Sequence, residues 1–173
     1  QVLEAKVQER TQELEAAQIE IIERLARAAE FRDDNTGQHT ERVGQMAALL
    51  AQEIGLADGQ VALIRRAAPL HDVGKIGVPD AILRKPGKPT AEEWALLKTH
   101  PAEGLDLIRG PIADWLGDWA SAIGEHHEQF NGSGYPNGLS GTDISYAGRL
   151  VAVADVFDVI TAARSYKKPM TIH

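Results

Sequence analysis

The 173-residue sequence contains no cysteine. A disulfide framework is therefore excluded, and any metal site must use nitrogen and oxygen ligands. The same absence fits a reducing compartment, so we expect a cytoplasmic protein. We expect no signal peptide, and the longest apolar run, Leu150 to Ile160, is short and interrupted by Asp155 and Asp158. That run cannot span a bilayer, so we expect no membrane segment in this chain.

Basic residues are in the minority: 18 lysines and arginines stand against 25 aspartates and glutamates, a formal net charge of -7. General nucleic-acid-binding proteins normally present a basic face, so this class of function is disfavoured. A small anionic ligand is still allowed, because bound divalent metals would reverse the local field. With 43% hydrophobic and 25% charged residues, the composition is that of a folded globular domain.

Residues 1–30 lack glycine and proline and are rich in Glu, Gln, Ala and Arg, which predicts one long helix. Apolar residues recur at intervals of seven and alternate with a partly polar set: Val7, Leu14, Ile21 and Ala28 against Thr11, Gln18 and Leu25. The pattern predicts a marginal parallel coiled coil and hence a homodimer. The alternative is a lone amphipathic helix packed on its own domain. We therefore divide the chain into a linker helix, 1–30, and a compact domain, 31–173.

The compact domain is predicted to be all-α, because glycine and proline separate helical segments and no alternating strand pattern is present. We predict helices over about 38–54, 58–72, 90–100, 112–127 and from Tyr146 through Asp155. The third of these begins with the capping box Thr90-Ala91-Glu92-Glu93. Two long loops, 74–89 and 130–142, follow clusters of polar residues, as loops that shape a pocket do.

Five of the six histidines, together with two aspartates, are candidate metal ligands. An adjacent imidazole and carboxylate, as in the dipeptide His71-Asp72, can hold two ions when the carboxylate bridges them. A single histidine is more often a core or surface residue. Asp155 lies in an apolar helix, where a carboxylate must be metal-bound, hydrogen-bonded or paired. The full candidate set is His39, His71, Asp72, His100, His126, His127 and Asp155.

Two strings carry a family resemblance: the HD dipeptide His71-Asp72, and the later series from His126-His127-Glu128 to Gly134-Tyr135-Pro136. Together they resemble the HD-GYP branch of the HD-domain phosphohydrolases over about residues 31–169. Members of this branch typically hydrolyse the bacterial second messenger cyclic di-GMP. The resemblance implies an HD-domain helical bundle and a phosphodiesterase that produces pGpG or GMP. It also implies an upstream receiver or sensor domain, and further helices beyond residue 173.

The resemblance assigns roles to the candidate ligands. His39, His71, Asp72 and Asp155 would hold the first metal, and His100, His126 and His127 would hold the second, with Asp72 bridging. Some members carry a glutamate that supports a third metal, where this chain has Asn35, so we expect two ions. Iron or manganese is favoured, while Zn, Ni, Mg and Ca are compatible with His and carboxylate ligands.

The remaining site residues also follow from the resemblance. Asp72 and Lys75 would act in catalysis. The substrate would contact Gly132, Gly134, Tyr135, Pro136, Arg164 and Lys167. The loop 130–142, which contains Gly134-Tyr135-Pro136 and is called the GYP loop below, would also contact partner proteins. Taken alone, Lys75 could be a solvated loop lysine and the GYP segment an ordinary turn. Two alternative functions stay open: a catalytically weak relay module that binds a cyclic dinucleotide or a protein, and a hydrolase of another nucleotide.

Overall fold

The computed structural model describes residues 2–33 and 38–161. Within these ranges the secondary structure is helical, and the only extended pairing is an isolated bridge between Asn131 and Ser140. The predicted all-α fold is confirmed. The α-helices are α1 (Val2–Asp33), α2 (His39–Glu53), α3 (Asp58–Ala67), α4 (Asp80–Leu83), α5 (Ala91–Leu97), α6 (His100–Ile108), α7 (Pro111–Leu116), α8 (Ser121–Glu125) and α9 (Tyr146–Thr161). Short 3₁₀ turns cover Ala68–Leu70, Val73–Gly77, Gly117–Ala120 and Gly141–Asp143.

Two apolar clusters flank the turn that carries His71 and Asp72. One joins α2 and α3 to α9, and the other joins the turn to α6 and α8. Leu70 and Val73, on either side of the dipeptide, are both fully buried. Burying such side chains stabilises the fold by about 1.5–3 kcal/mol each. The position of the dipeptide is therefore set by the core on both sides of it.

The helix predicted over residues 58–72 ends earlier, at Ala67. Pro69 is the reason: proline offers no amide hydrogen to bond the Arg65 carbonyl four residues earlier, so the α-helical hydrogen-bond pattern is interrupted here. The chain continues instead as a 3₁₀ turn, Ala68–Leu70, which delivers His71 and Asp72 into a turn rather than a helix.

The capping box at Thr90 is confirmed. The Glu93 amide donates to Thr90 Oγ1 at 3.3 Å, and the Thr90 amide donates to the Glu93 carboxylate at 2.7 Å. The helix it opens does not reach His100, however, because α5 ends at Leu97 and α6 begins at His100. Pro101 lacks the amide hydrogen that would bond the Leu97 carbonyl four residues earlier, so a continuous helix is disfavoured here.

The helix predicted over residues 112–127 is also interrupted. Gly117 has φ +55°, a left-handed conformation that glycine adopts easily and that commonly ends a helix. The segment is divided into α7, a 3₁₀ turn and α8, and α8 ends at Glu125. The pair His126-His127 therefore follows a helix end, as two imidazoles directed to one ion would require.

Helix α1 has an exposed part and a buried end. Val7, Leu14 and Ile21 are each more than half exposed, whereas Ala26 and Ala29 are buried against the rest of the domain. The predicted long helix is confirmed, and its last two turns belong to the packed core. In the described part of the chain, no helix is both long and apolar enough to cross a membrane.

Candidate metal centre

Asp72 stands between two groups of histidines, and its two carboxylate oxygens face different groups. Oδ2 lies 3.3 Å from His71 Nε2. Oδ1 lies 3.2 Å from His100 Nε2 and 3.7 Å from His126 Nε2. This division is the geometry that a carboxylate bridging two ions requires.

Two sets of side chains could each hold an ion, and Asp72 is common to both. In each set the ligand atoms lie within 4.8 Å of one another; the sets are His39, His71 and Asp72, and Asp72, His100, His126 and His127. Asp155 is outside both sets but adjoins the first. Its Oδ1 lies 3.2 Å from His39 Nε2 and 3.9 Å from His71 Nε2. The structure thus brings together all seven residues that the sequence analysis nominated.

Three of the histidines are oriented by backbone carbonyls. Nδ1 of His71 donates to the Ala68 oxygen at 2.8 Å, and Nδ1 of His100 donates to the Leu97 oxygen at 2.7 Å. Nδ1 of His126 donates to the Ile123 oxygen at 2.9 Å.

Because a carbonyl can only accept, these bonds place the hydrogen on Nδ1 and leave the lone pair on Nε2. The Leu97 carbonyl is free for His100 because Pro101 has no amide to donate to it. The break between α5 and α6 therefore helps to orient His100.

His39 is oriented by a carboxylate instead. Its Nδ1 donates to Asp158 Oδ2 at 2.7 Å. Arg42 holds the same carboxylate through two bonds, Nε to Oδ1 at 2.6 Å and Nη2 to Oδ2 at 2.9 Å. The sequence analysis did not assign Asp158. Asp158 lies three residues after Asp155 on the same apolar helix, so both carboxylates face the same side of that helix. This spacing is the sequence signal that could have identified Asp158.

The Nε2 lone pairs of these histidines lie close to one another, so the site is suited to binding cations. Nε2 of His100 and Nε2 of His126 lie 3.3 Å apart, and both face Asp72 Oδ1. Buried Nε2 of His71 has no hydrogen-bond partner among the described residues. Lone pairs in such proximity repel unless a cation or a proton lies between them. Histidine and carboxylate donors without sulfur suit first-row divalent metals.

The charge states of two candidate ligands favour metal binding, and that of a third opposes it. Burial raises the pKa of Asp155, but the His39 hydrogen bond and nearby His71 outweigh it and bring that pKa to about 2. Burial and the neighbouring imidazoles lower the pKa of His127 to about 3, so it is neutral at pH 7. Burial lowers the pKa of His71, but Asp72 and Asp155 outweigh it and raise that pKa to about 9. A metal would therefore have to displace a proton from His71.

Lys75 lies against the bridging carboxylate. Its Nζ is 2.8 Å from Asp72 Oδ2, and its side chain is 18% exposed. Burial opposes charge on Asp72, yet Lys75 and His71 hold the pKa of this carboxyl well below its usual value. A lysine this close to the centre, and only partly exposed, is in reach of a phosphate bound there.

The GYP loop folds directly onto the His126-His127-Glu128 segment. The Tyr135 amide donates to the His127 oxygen at 3.2 Å, and the Tyr135 ring stacks on the His127 ring with centroids 4.7 Å apart. A Cβ on Gly134 would lie only 2.3 Å from the Gln129 amide nitrogen, so only glycine fits this approach. The buried Glu128 carboxylate accepts the amides of Asn137 and Leu139, at 2.7 and 2.9 Å.

The end of α1 is bonded to two segments that carry site residues. The buried Glu30 carboxylate accepts the amides of His39, at 2.7 Å, and Thr40, at 3.2 Å, so it caps α2. The Arg32 guanidinium donates to the carbonyls of Lys75, at 3.1 Å, and Val78, at 2.6 Å. The sequence analysis missed both roles, because a glutamate and an arginine near a helix end are usually solvated.

An open groove of about 560 Å³ begins at His126 and His127 and extends along α9. Its outer wall is apolar and includes exposed Phe130 and Phe157. The groove therefore gives a ligand of nucleotide size access to one edge of the histidine cluster. Two predicted substrate contacts, Arg164 and Lys167, lie outside the described residues, and so does Asn35.

Comparison with known proteins agrees with this chemistry. Residues 23–173 match the family described as HD domain. The chain is 44% identical, over 98% of its length, to the cyclic di-GMP phosphodiesterase response regulator RpfG of Xanthomonas campestris pv. campestris, of which the match covers 45%. It is 42% identical, over 97% of its length, to a cyclic di-GMP phosphodiesterase of Thermotoga maritima, with 46% of that protein covered.

A third relative has a different named substrate. The 3'3'-cGAMP-specific phosphodiesterase 2 of Vibrio cholerae is 44% identical over 88% of this chain, and 29% of that protein is covered. The chain thus spans less than half the length of these three relatives.

Proposed function

Since this chain belongs to the HD-domain family and carries the two strings of its HD-GYP branch, we propose that it is a metal-dependent phosphodiesterase that hydrolyses cyclic di-GMP. The observation that supports this most is the division of Asp72 between two histidine sets. Paired divalent sites of this kind are typical of enzymes that cleave phosphate esters. The products are pGpG, GMP or both.

The ligands are those that the geometry brings together. His39, His71 and Asp155 would hold one ion, His100, His126 and His127 would hold the other, and Asp72 would be a ligand of both. Iron and manganese are the metals we favour, because mixed imidazole and carboxylate ligands suit them. When bound, two such ions supply Lewis-acid stabilisation of the phosphate and acidify water.

The protein's own groups then carry specific tasks. Asp72 and its histidine neighbours would hold the ions to which the phosphodiester binds. The Lys75 ammonium, 2.8 Å from Asp72 Oδ2, lies where it can neutralise or protonate the departing ribose oxygen. Gly134 lets the loop lie close to the His127 carbonyl, and Gly132 allows its turn with φ +79°. Tyr135 and Pro136 form a wall of the substrate site. Arg164 and Lys167 contact substrate phosphates.

The substrate assignment has one specific competitor. A relative at 44% identity is named for 3'3'-cGAMP, a hybrid cyclic dinucleotide. The two substrates differ in one base and share the phosphodiester that is cleaved, so the metal centre cannot distinguish them. Base contacts must do so.

Protein loaded with Mn²⁺ or Fe²⁺ should hydrolyse cyclic di-GMP faster than 3'3'-cGAMP, with pGpG or GMP detected by chromatography. Protein treated with a chelator is the control, and it should produce neither. Faster cleavage of 3'3'-cGAMP would reassign the substrate. Binding of both ligands without hydrolysis of either would favour the relay module over the enzyme.

We also propose that the full-length protein is a cytoplasmic dimer in which an upstream receiver or sensor domain acts through α1. The exposed stripe of Val7, Leu14 and Ile21 supports pairing with a second copy. Partner proteins would contact the GYP loop, whose Phe130 is 68% exposed.

Replacing Leu14 with glutamate should weaken dimerisation. Burial of a leucine contributes about 1.5–3 kcal/mol, and a dimer loses two, so the dissociation constant should rise by more than about 100-fold. Gln12→Glu adds the same charge two residues away, off the seam, and is the matched control. Sedimentation measures both. If the wild-type chain and Leu14→Glu sediment alike, α1 is a lone amphipathic helix.

A further inference from the structure

A lysine close to the candidate metal centre lies beside two aromatic rings. Nζ of Lys98 is 5.8 Å from the ring centroid of Trp94 and 5.8 Å from that of Tyr135. Trp94 lies one turn earlier on α5, whereas Tyr135 comes from the GYP loop. The two rings meet edge to face, with centroids 6.2 Å apart. Contacts at these distances are cation–π interactions.

In the part of the chain that the structure describes, the charge of Lys98 is not balanced by a carboxylate. Among the described residues, no aspartate or glutamate lies within 4.0 Å of its ammonium, and nearby Glu93 is paired with Lys85 at 2.7 Å. Lys98 is only partly exposed. A partly desolvated cation that contacts only aromatic rings has remaining capacity to bind an anion.

The surface beside this cation is aromatic and open. Trp94 is 46% exposed although it is a large aromatic residue. A face of this kind suits a stacked nucleobase, because every base has a flat π surface. Tyr135 connects the patch to the metal centre, since its other contact is the stacked ring of His127. The patch is thus separated from a candidate metal ligand by a single aromatic ring.

We propose that Trp94 and Lys98 form a second substrate subsite, which binds the phosphate that is not being cleaved and stacks the purine attached to it. The proposal rests on the proposed function, because it assumes that a cyclic dinucleotide lies at the metal centre. Such a substrate has two phosphodiesters and two purines, and only one phosphate reacts at a time. Contacts to the other half bind the ground state and the transition state alike, so they lower KM without changing kcat.

The test compares two substrates in the metal-loaded enzyme. Cyclic di-GMP has the second phosphate, whereas bis(p-nitrophenyl) phosphate has only the phosphodiester that is cleaved. Lys98→Met keeps the length of the side chain and removes its charge. It should raise KM for cyclic di-GMP by about ten-fold or more, since losing a charged contact typically costs at least that factor. The kcat should stay within about three-fold, because Lys98 contacts the part that does not react.

Three further variants test the separate contributions of stacking and charge, and provide a control. Trp94→Ala should raise the same KM roughly ten-fold through loss of stacking. Lys98→Arg should restore most of the affinity, because guanidinium keeps both the charge and the aromatic contacts. Lys88→Met removes an exposed lysine from the preceding loop and is the matched control. Activity of Lys98→Met toward the small diester should fall by less than about three-fold.

Two kinds of outcome overturn the subsite, and a third overturns the proposed substrate. An equal loss with both substrates, or loss of metal on elemental analysis, would mean that Lys98 supports the His100 segment. An unchanged KM for cyclic di-GMP would mean that Lys98 does not contact it. If the wild-type enzyme cleaves only the small diester, the proposed substrate is wrong. In that case, titration measures the affinity of cyclic di-GMP for the wild type and for Lys98→Met. Equal affinities would refute the subsite.

Discussion

Protein carrying Asp72→Ala should lose metal from both positions at once. Asp72 Oδ2 faces the set with His71, and Oδ1 faces the set with His100 and His126, so one substitution removes a ligand from each. Changing groups that merely orient metal ligands already costs about 10- to 100-fold in metal affinity. Loss of a shared ligand should cost more, and elemental analysis after dialysis should find little metal.

The control for Asp72→Ala is His100→Ala. His100 belongs only to the second set, so this variant should keep the first ion and lose the second. Circular dichroism shows whether both variants remain helical. Retention of both ions by Asp72→Ala would contradict the assignment of Asp72 as the bridging ligand.

Protein carrying Lys75→Ala should keep its metals and lose its turnover. An ammonium is not a usual metal ligand, and removing a charge placed at a developing oxyanion typically costs roughly 2.7–4 kcal/mol. The kcat for cyclic di-GMP should therefore fall by about 10²- to 10³-fold while KM changes little. Kinetics of metal-loaded protein measures this effect.

The ion pair between Lys75 and Asp72 at 2.8 Å allows a second role, in which Lys75 holds the bridging carboxylate in place. Metal content separates the two roles. If Lys75→Ala loses metal, the lysine is structural; if turnover is unchanged, it is a surface lysine. Lys88→Ala, which changes an exposed loop lysine, should leave both quantities unchanged.

The ligand set could be predicted because its signal is local and chemical. The adjacent residues His71 and Asp72, and the pair His126-His127, are visible without any knowledge of the fold. Tertiary structure then brings in His39, His100 and Asp155 from three separate helices. The resemblance also predicted that Asp72 serves both sets. Which of its two oxygens faces which set could not be predicted, because that depends on the rotation of the carboxylate in the turn before Val73–Gly77.

The groups that orient the ligands were harder to predict. Glu128 and Asp158 are buried carboxylates whose partners lie 9 and 119 residues away in the chain. No short-range pattern identifies the partner of either carboxylate. Glu30 is similar: it caps α2 from a separate helix, whereas cap residues recognised in a sequence are adjacent to the helix that they cap.

Helix boundaries were predicted wrongly where proline or glycine interrupts an otherwise helical composition. Pro69, Pro101 and Gly117 each end a helix that the surrounding residues would continue. At Pro101 the interruption has a function, because the Leu97 carbonyl receives no helical amide and instead accepts the hydrogen bond that orients His100. These two prolines and the glycine are visible in the sequence, and helix boundaries drawn at them place His71 and His100 near helix ends.

The most direct measurement is the rate of cyclic di-GMP hydrolysis as Mn²⁺ is titrated into protein first freed of metal with a chelator. Two ions bridged by Asp72 predict that activity is negligible without metal and rises mainly as the second equivalent per chain binds. Full activity at one equivalent, or hydrolysis without added metal, would contradict the paired centre on which the proposed function rests.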